Sequence, residues 1–197
     1  MKLGDLVLVG ARPSMGKTHF LLSISQGMAR AKFPVQIQSV EMGDEALGDR
    51  AFSHHAERGW EGSPSACEAA TPSALDAWAH GGAALPITVD TKSLTLTQIE
   101  RSMFTASQRG VRVFMIDYLQ LVRVVRRDDL RGATREQVVA HISRRLKLAA
   151  KETGSLVVCA VQLSRALEAR PDKRPMMSDL RESGQLEQDA DAICFLY

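Results

Sequence analysis

Aromatic residues make up only 5% of this 197-residue chain, cysteine occurs three times, and no apolar run is long enough to cross a bilayer. A spanning helix needs roughly 20 consecutive apolar residues, so membrane insertion by a helix is not expected. Cys67, Cys159 and Cys194 form no C-x-x-C pair, which removes the spacing of a zinc ribbon or a redox motif. Two of them lie in apolar runs and read as small core residues of a reducing compartment. His54 and His55 are adjacent, a poor spacing for one helix face, and have no cysteine or carboxylate cluster near them, so no metal centre is expected there. The chain enters an apolar strand pattern within its first ten residues, leaving no room for a signal peptide, and the cytoplasm is the expected location. Internal repeats and low-complexity tracts are absent too.

What the chain has is 45% apolar residues over a length that suits one domain with a sizeable core. Short apolar runs at 6–9, 35–40, 87–89, 111–116, 156–161 and 192–196 read as buried strands. Helical patterns alternate with them. "TLTQIERSMFTASQRG" opens on Thr95 and Gln98, three apart, a capping-box signature, and closes on Gly110. "TREQVVAHISRRLKLAAKETG" repeats the device with Thr134 and Gln137 and ends at Gly154, with Val138, Ile142, Leu146 and Ala149 on one face. The fold class is therefore α/β, a mostly parallel sheet with helices on both faces. Three stretches break the alternation: a variable excursion at 61–84 around a short helix near "SALDAWAH", a charged loop at 123–133, and a long basic loop at 164–185. A long irregular segment in a compact domain tends to be functional.

The net charge of +2 conceals an asymmetry. Residues 123–181 hold 14 basic and 7 acidic residues, whereas the rest of the chain is acidic in balance. That suits a polyanion, although a solvated face is the plainer reading of a charge run.

Directly behind the first strand run stands "ARPSMGKT", residues 11–18. The phosphate-loop pattern G-x-x-x-x-G-K-[ST] is met at Gly16, Lys17 and Thr18, with Ala11 in the first glycine position and Gly10 just upstream. A strand, this loop and a helix in succession aim backbone N–H groups and a helix N-terminus at an anion. Ala11, Arg12, Pro13, Ser14, Met15, Gly16, Lys17, Thr18 and His19 are the expected nucleotide contacts. Lys17 would reach the outer phosphates, and the Thr18 hydroxyl would ligate Mg²⁺.

Three further strand ends carry chemistry. Asp117 closes "VRVFMID" and suits a partner of Mg²⁺, or else a helix cap. Glu41 stands 24 residues after Lys17 at the end of the next strand run and suits a base that deprotonates water, or else a salt bridge at the sheet edge. Gln162 closes "LVVCAVQ" and can sense a γ-phosphate by hydrogen bonding, or is simply a polar strand end. Farther on, Arg181, Glu182 and Gly184 lie in "DLRESG". A guanidinium and a backbone N–H there suit nucleic-acid phosphates, and with only Phe195 and Tyr197 as nearby rings, backbone tracking is expected rather than base stacking.

Taken together, "ARPSMGKT", "SVEM", "MIDYLQL", "AVQLSRALEARPDKRPMMSDLRESGQLEQDAD" and "ICFLY" resemble the RecA-like motor domain of DnaB-type replicative helicases. The resemblance runs almost end to end and is weakest at about 43–84. Ala11 is that family's own variant of the phosphate loop. The resemblance implies a RecA-like P-loop NTPase core acting as a ring hexamer. ATP and Mg²⁺ would bind between subunits, and the ring would translocate 5′ to 3′ on single-stranded DNA. It also implies a primase or helicase loader as a possible partner. By the same resemblance, Glu41 is the catalytic glutamate and Lys17 a catalytic phosphate contact. Thr18 and Asp117 hold the metal, Gln162 couples nucleotide to DNA, and Arg181, Glu182 and Gly184 grip DNA.

The family's N-terminal domain and linker helix, and the later strands with the basic finger that reaches a neighbour's γ-phosphate, are not found in residues 1–197, which read as one partial motor domain. That motivates a competing expectation, a nucleotide-binding module with little turnover. A filament-forming recombinase and a small-molecule kinase fit less well, because the "DLRESG" loop and the basic segment then lack a role.

Overall fold

The computed structural model describes residues 1–55, 72–81, 84–125, 130, 132–180 and 184–197. Six strands form one sheet: β1 Leu6–Ala11, β2 Val35–Ser39, β3 Ile87–Asp90, β4 Val113–Asp117, β5 Leu156–Gln162 and β6 Ala192–Phe195. Their spatial order is β3-β2-β4-β5-β1-β6, and every pairing is parallel. Each expected apolar run has become a strand, shifted by a residue or two at its ends.

Helices α1 Lys17–Arg30 and α2 Asp44–His55 cover one face. Short α3 Pro72–Gly81 coincides with the expected "SALDAWAH" helix, while residues 61–71 and Cys67 lie outside the described residues. The other face carries α4 Leu96–Gln108, α5 Arg135–Thr153 and α6 Gly184–Asp189. A parallel sheet covered on both faces needs apolar side chains on both sides of each strand. The pleat supplies them: Leu6 and Leu8 pack towards α5, and Val7 and Val9 towards α1. The same alternation sends Val157, Cys159 and Val161 to the α5 side and Leu156, Val158 and Ala160 to the α1 side.

Both capping boxes are formed, Thr95 with Gln98 on α4 and Thr134 with Gln137 on α5. Each such cap contributes about 1 kcal/mol. Gly154 ends α5 in the left-handed conformation at φ 57°. On α5 the buried stripe is Val139, Ile142, Leu146 and Ala149, while Val138 sits only half-buried at its edge. The stripe is thus turned one residue from the expected one at its start.

Two expectations are corrected. Cys194 is exposed on β6, which lies at the edge of the sheet, whereas Cys159 is buried in the central β5. The 164–185 segment is not an open loop. It contains 3₁₀ turns at Arg165–Ala169 and Met177–Asp179, and α6 begins at its end. Buried Asp179 organises it by accepting from the Arg170 guanidinium at 2.6 Å and from the Met176 amide at 2.7 Å.

Gly10 has a packing role that the loop pattern does not suggest. A Cβ at Gly10 would lie 2.9 Å from Phe195 Cδ1 and 3.0 Å from Leu163 Cδ2, so the Phe195 ring and the Leu163 side chain lie against β1 where that atom would be. Gly10→Ala should therefore destabilise by about 1–3 kcal/mol. Gly27 lies inside α1 with open space around it, so Gly27→Ala should stabilise by about 0.5–1 kcal/mol. Denaturant titration of the two variants checks both signs.

Candidate functional site

The site lies at the carboxyl ends of the central strands, where ligands of such sheets bind. β1 ends at buried Ala11, and the chain leaves the sheet through an exposed turn, Pro13 to Gly16. The Met15 amide closes the turn on the Arg12 carbonyl at 3.3 Å. Ser14 at φ 63° and Gly16 at φ 79° both have left-handed backbone. A Cβ at Gly16 would meet nothing, so it is the dihedral that favours glycine there. Gly16 is the N-cap of α1, with no side-chain cap and no acidic residue in the first turn. The first N–H groups of that helix therefore lack intrahelical partners, and the dipole adds partial positive charge.

Lys17 folds back over this turn. Its Nζ donates to the Arg12 carbonyl at 3.1 Å and, more weakly, to that of Ala11 at 3.5 Å. It also lies 5.7 Å from the centre of the Tyr118 ring. Burial lowers its pKa, and the negative charges of Asp117 and Glu41 oppose that shift.

Asp117 closes β4 beside Ser39 in register. It is 1% exposed, yet its Oδ2 accepts the Thr18 hydroxyl at 2.6 Å, joining residues 99 apart in sequence. Its Oδ1 is buried with no hydrogen-bond partner. Burial raises its pKa, and the Thr18 hydroxyl, Lys17 and Arg50 pull it back. A buried carboxylate oxygen without a donor, beside a helix-start hydroxyl and a lysine, fits a hard divalent cation that takes oxygen ligands.

Glu41 is exposed two residues beyond β2. Its position is set by a tight turn in which the Ser39 hydroxyl donates to the Met42 carbonyl at 2.8 Å and accepts from the Met42 amide at 3.2 Å. The Val40 amide also donates to the Asp117 carbonyl at 2.9 Å. Glu41 is near enough to influence the titration of both Lys17 and Tyr118. Gln162 ends β5 in register with Ala11 and, by the pleat, faces the α1 side as Asp117 does. The structure thus brings Ala11 to Thr18, Glu41, Asp117 and Gln162 to one edge of the sheet. His19 is exposed on the first turn of α1.

Arg181 and Glu182 lie outside the described residues; Gly184 is the exposed first residue of α6. Among the described residues no group of three His, Cys, Asp or Glu could hold a metal ion, and no helix is long and apolar enough to cross a membrane.

A model of the DnaB-like helicase C-terminal domain matches residues 1–197. The chain belongs to that family. The replicative DNA helicase DnaC of Bacillus subtilis (strain 168) is 38% identical over 98% of this chain. The replicative DNA helicase DnaB of Geobacillus stearothermophilus is 39% identical over 98%. The chain spans only 43% of the length of each. Among solved structures, one of an ATPase domain matches the whole chain with a TM-score of 0.85 at 35% identity, 70% of that domain's chain being covered. A DnaB-like replicative helicase, described with its interactions with primase, gives 0.88 at 36% identity over 48% of its length. The all-parallel RecA-like sheet is the fold of these DnaB-like domains.

Four residues escaped the sequence reading. Tyr118 follows Asp117 within "MIDYLQL", a motif that singled out its aspartate only. Arg50 approaches Asp117 from α2, and nothing in its sequence surroundings signals that. Gln120 binds the backbone of Gln162 across 42 residues. Glu168 pairs with the Arg12 guanidinium, a contact between the turn and the 164–180 segment.

The raised pKa of Asp117 has a consequence for stability. Its protonated form is favoured by folding below the unfolded aspartate pKa, and that advantage is lost as pH rises through the folded value. At pH 8, without Mg²⁺ or nucleotide, Asp117→Asn should therefore raise the melting temperature. The gain should shrink as the pH falls towards 4. A lower melting temperature for the variant at pH 8 would contradict this account of the buried charge.

Proposed function

We propose that this chain is the ATP-hydrolysing motor domain of a DnaB-like replicative helicase, which moves along single-stranded DNA and separates duplex as it goes. The observation that carries the reading is the Thr18–Asp117 contact at 2.6 Å with Asp117 Oδ1 unpartnered, placed beside Lys17 at an uncapped helix start.

In this reading ATP is the substrate. The turn Ala11 to Gly16 and the first amides of α1, including those of Lys17, Thr18 and His19, receive its phosphates. Lys17 exchanges its two carbonyl acceptors for phosphate oxygens, which releases a buried cation to a better partner. Thr18 and Asp117 would hold Mg²⁺, which when bound neutralises developing phosphate charge. Glu41, exposed and near Lys17, orients and deprotonates the attacking water. Gln162 on the same face hydrogen-bonds the terminal phosphate and relays its loss to the 164–180 segment that follows it. Arg181, Glu182 and Gly184 contact the DNA backbone.

The exposed turn suits a site closed by a second copy of the chain, as a ring hexamer requires. A primase or loader as partner, and a cytoplasmic location, follow as parts of the same reading.

Turnover of ATP measured against protein concentration, with and without single-stranded DNA, tests this. Turnover per chain that rises with both supports a shared, DNA-coupled site. Intact ATP binding with flat, near-zero turnover would replace the motor by a nucleotide-binding module. Glu41→Gln should lower turnover by roughly 10²–10⁴-fold while leaving ATP affinity nearly unchanged. Lys17→Ala should weaken ATP binding by at least about 1.5–3 kcal/mol, read by calorimetry. Arg181→Ala should weaken DNA binding evenly across sequences.

A further inference from the structure

Strand β5 runs farther than the strand beside it. Its last residue pair with β4 is Cys159 with Ile116, and β4 itself ends at Asp117. On β5, alternate residues bond to opposite neighbours: Leu156 donates to Arg112 on the β4 side at 2.8 Å, and Val157 to Asp5 on the β1 side at 3.0 Å. By that alternation the backbone N–H and C=O of Gln162 face β4, where no strand residue remains. One side chain meets both groups. The Gln162 amide donates to Gln120 Oε1 at 3.0 Å, and Gln120 Nε2 donates to the Gln162 carbonyl at 3.1 Å. A primary amide can do this because it carries a donor and an acceptor side by side, as a strand peptide does.

Gln120 is itself held in place. It lies in a 3₁₀ turn, Leu119–Leu121, three residues after Asp117, and its carbonyl accepts the guanidinium of Arg135 in the first turn of α5. The other flank of β5 is fastened by the Leu163 amide, which donates to the Ala11 carbonyl at 3.1 Å. Gln162 is thereby clamped between the end of β1, where the turn begins, and a side chain from the segment that bears Asp117.

We propose that Gln120 is a positioning residue for nucleotide sensing: its amide replaces the missing strand and fixes Gln162 so that the side chain addresses the phosphate loop. The inference rests on the proposed role of Gln162. Gln120→Met keeps the length and apolar stem but removes both hydrogen bonds. Gln120→Glu keeps an acceptor and sets a carboxylate against the Gln162 carbonyl.

The test follows the side-chain amide resonance of Gln162 in the ¹⁵N-labelled chain as a slowly hydrolysed ATP analogue and Mg²⁺ are added. Calorimetry and melting curves are recorded on the same samples, and the change in single-stranded DNA affinity caused by the analogue is read by fluorescence anisotropy. In the unaltered chain the Gln162 resonance should shift on saturation. In both variants the shift should be lost while analogue affinity stays within about twofold, and the analogue's effect on DNA affinity should fall by roughly fivefold or more. Gln120→Met in a Gln162→Ala background should reduce that effect no further.

A Gln162 shift that survives Gln120→Met overturns the proposal. So does the absence of any shift in the unaltered chain, or a variant that only melts earlier. Failure of the unaltered chain to bind DNA counts instead against the motor reading, and the nucleotide arm still decides the role of Gln120.

Discussion

The structure turns on a carboxylate kept where water cannot reach it. Burying Asp117 is costly unless the charge finds partners. The fold answers with the Thr18 hydroxyl at 2.6 Å and the nearby charges of Lys17 and Arg50. That requirement fixes how α1 meets β4, because Thr18 must be in the first turn of α1 and must face the strand end. The Asp117 carbonyl also accepts the Val40 amide at 2.9 Å, which sets the departure of the chain towards Glu41. A single residue at the end of a central strand thus joins three segments that are far apart in sequence.

Unequal strand lengths do the rest. β1 and β5 continue past the end of β4, so Ala11 and Gln162 pair with each other beyond its last residue. This leaves a step at the sheet edge, and a step exposes peptide groups that must still be satisfied. The Gln120 amide fills it. The pleat then explains why the polar strand ends share a face: Ser39, Asp117 and Gln162 continue the side of the sheet occupied by Val35, Val113 and Leu156.

Much of this was legible in the residues, and the reason is locality. The six strand runs, the Thr95 and Thr134 capping boxes, the glycine closing α5 and the strand–loop–helix order around Lys17 depend on neighbours within about four residues. What escaped depends on the sheet order. Gln120 meets Gln162 only because β4 and β5 are adjacent and differ in length, and Arg50 nears Asp117 only because α2 packs beside α1. Cys194 was misread for the same reason, since an apolar run does not say whether its strand is central or at an edge. The 164–185 segment looked loose because buried Asp179, which gathers Arg170 and Met176 around itself, carries no periodic signal.

The basic excess between residues 123 and 181 also means something different once the partners are known. Arg145 binds Glu100, Lys147 binds Asp191, and Arg170 binds Asp179, so three of its 14 basic residues serve to join α5 to its neighbours and to fold the 164–180 segment on itself. Arg12 is likewise engaged, paired with Glu168, whose side chain is half exposed. Such a pair is worth only about 0–1 kcal/mol. It is therefore too weak to lock the turn to the segment, and a multiply charged phosphate next to Arg12 competes with it readily. The firmer link between the two is the Leu163–Ala11 backbone bond, which leaves the backbone register fixed while the Arg12 side chain remains free to exchange.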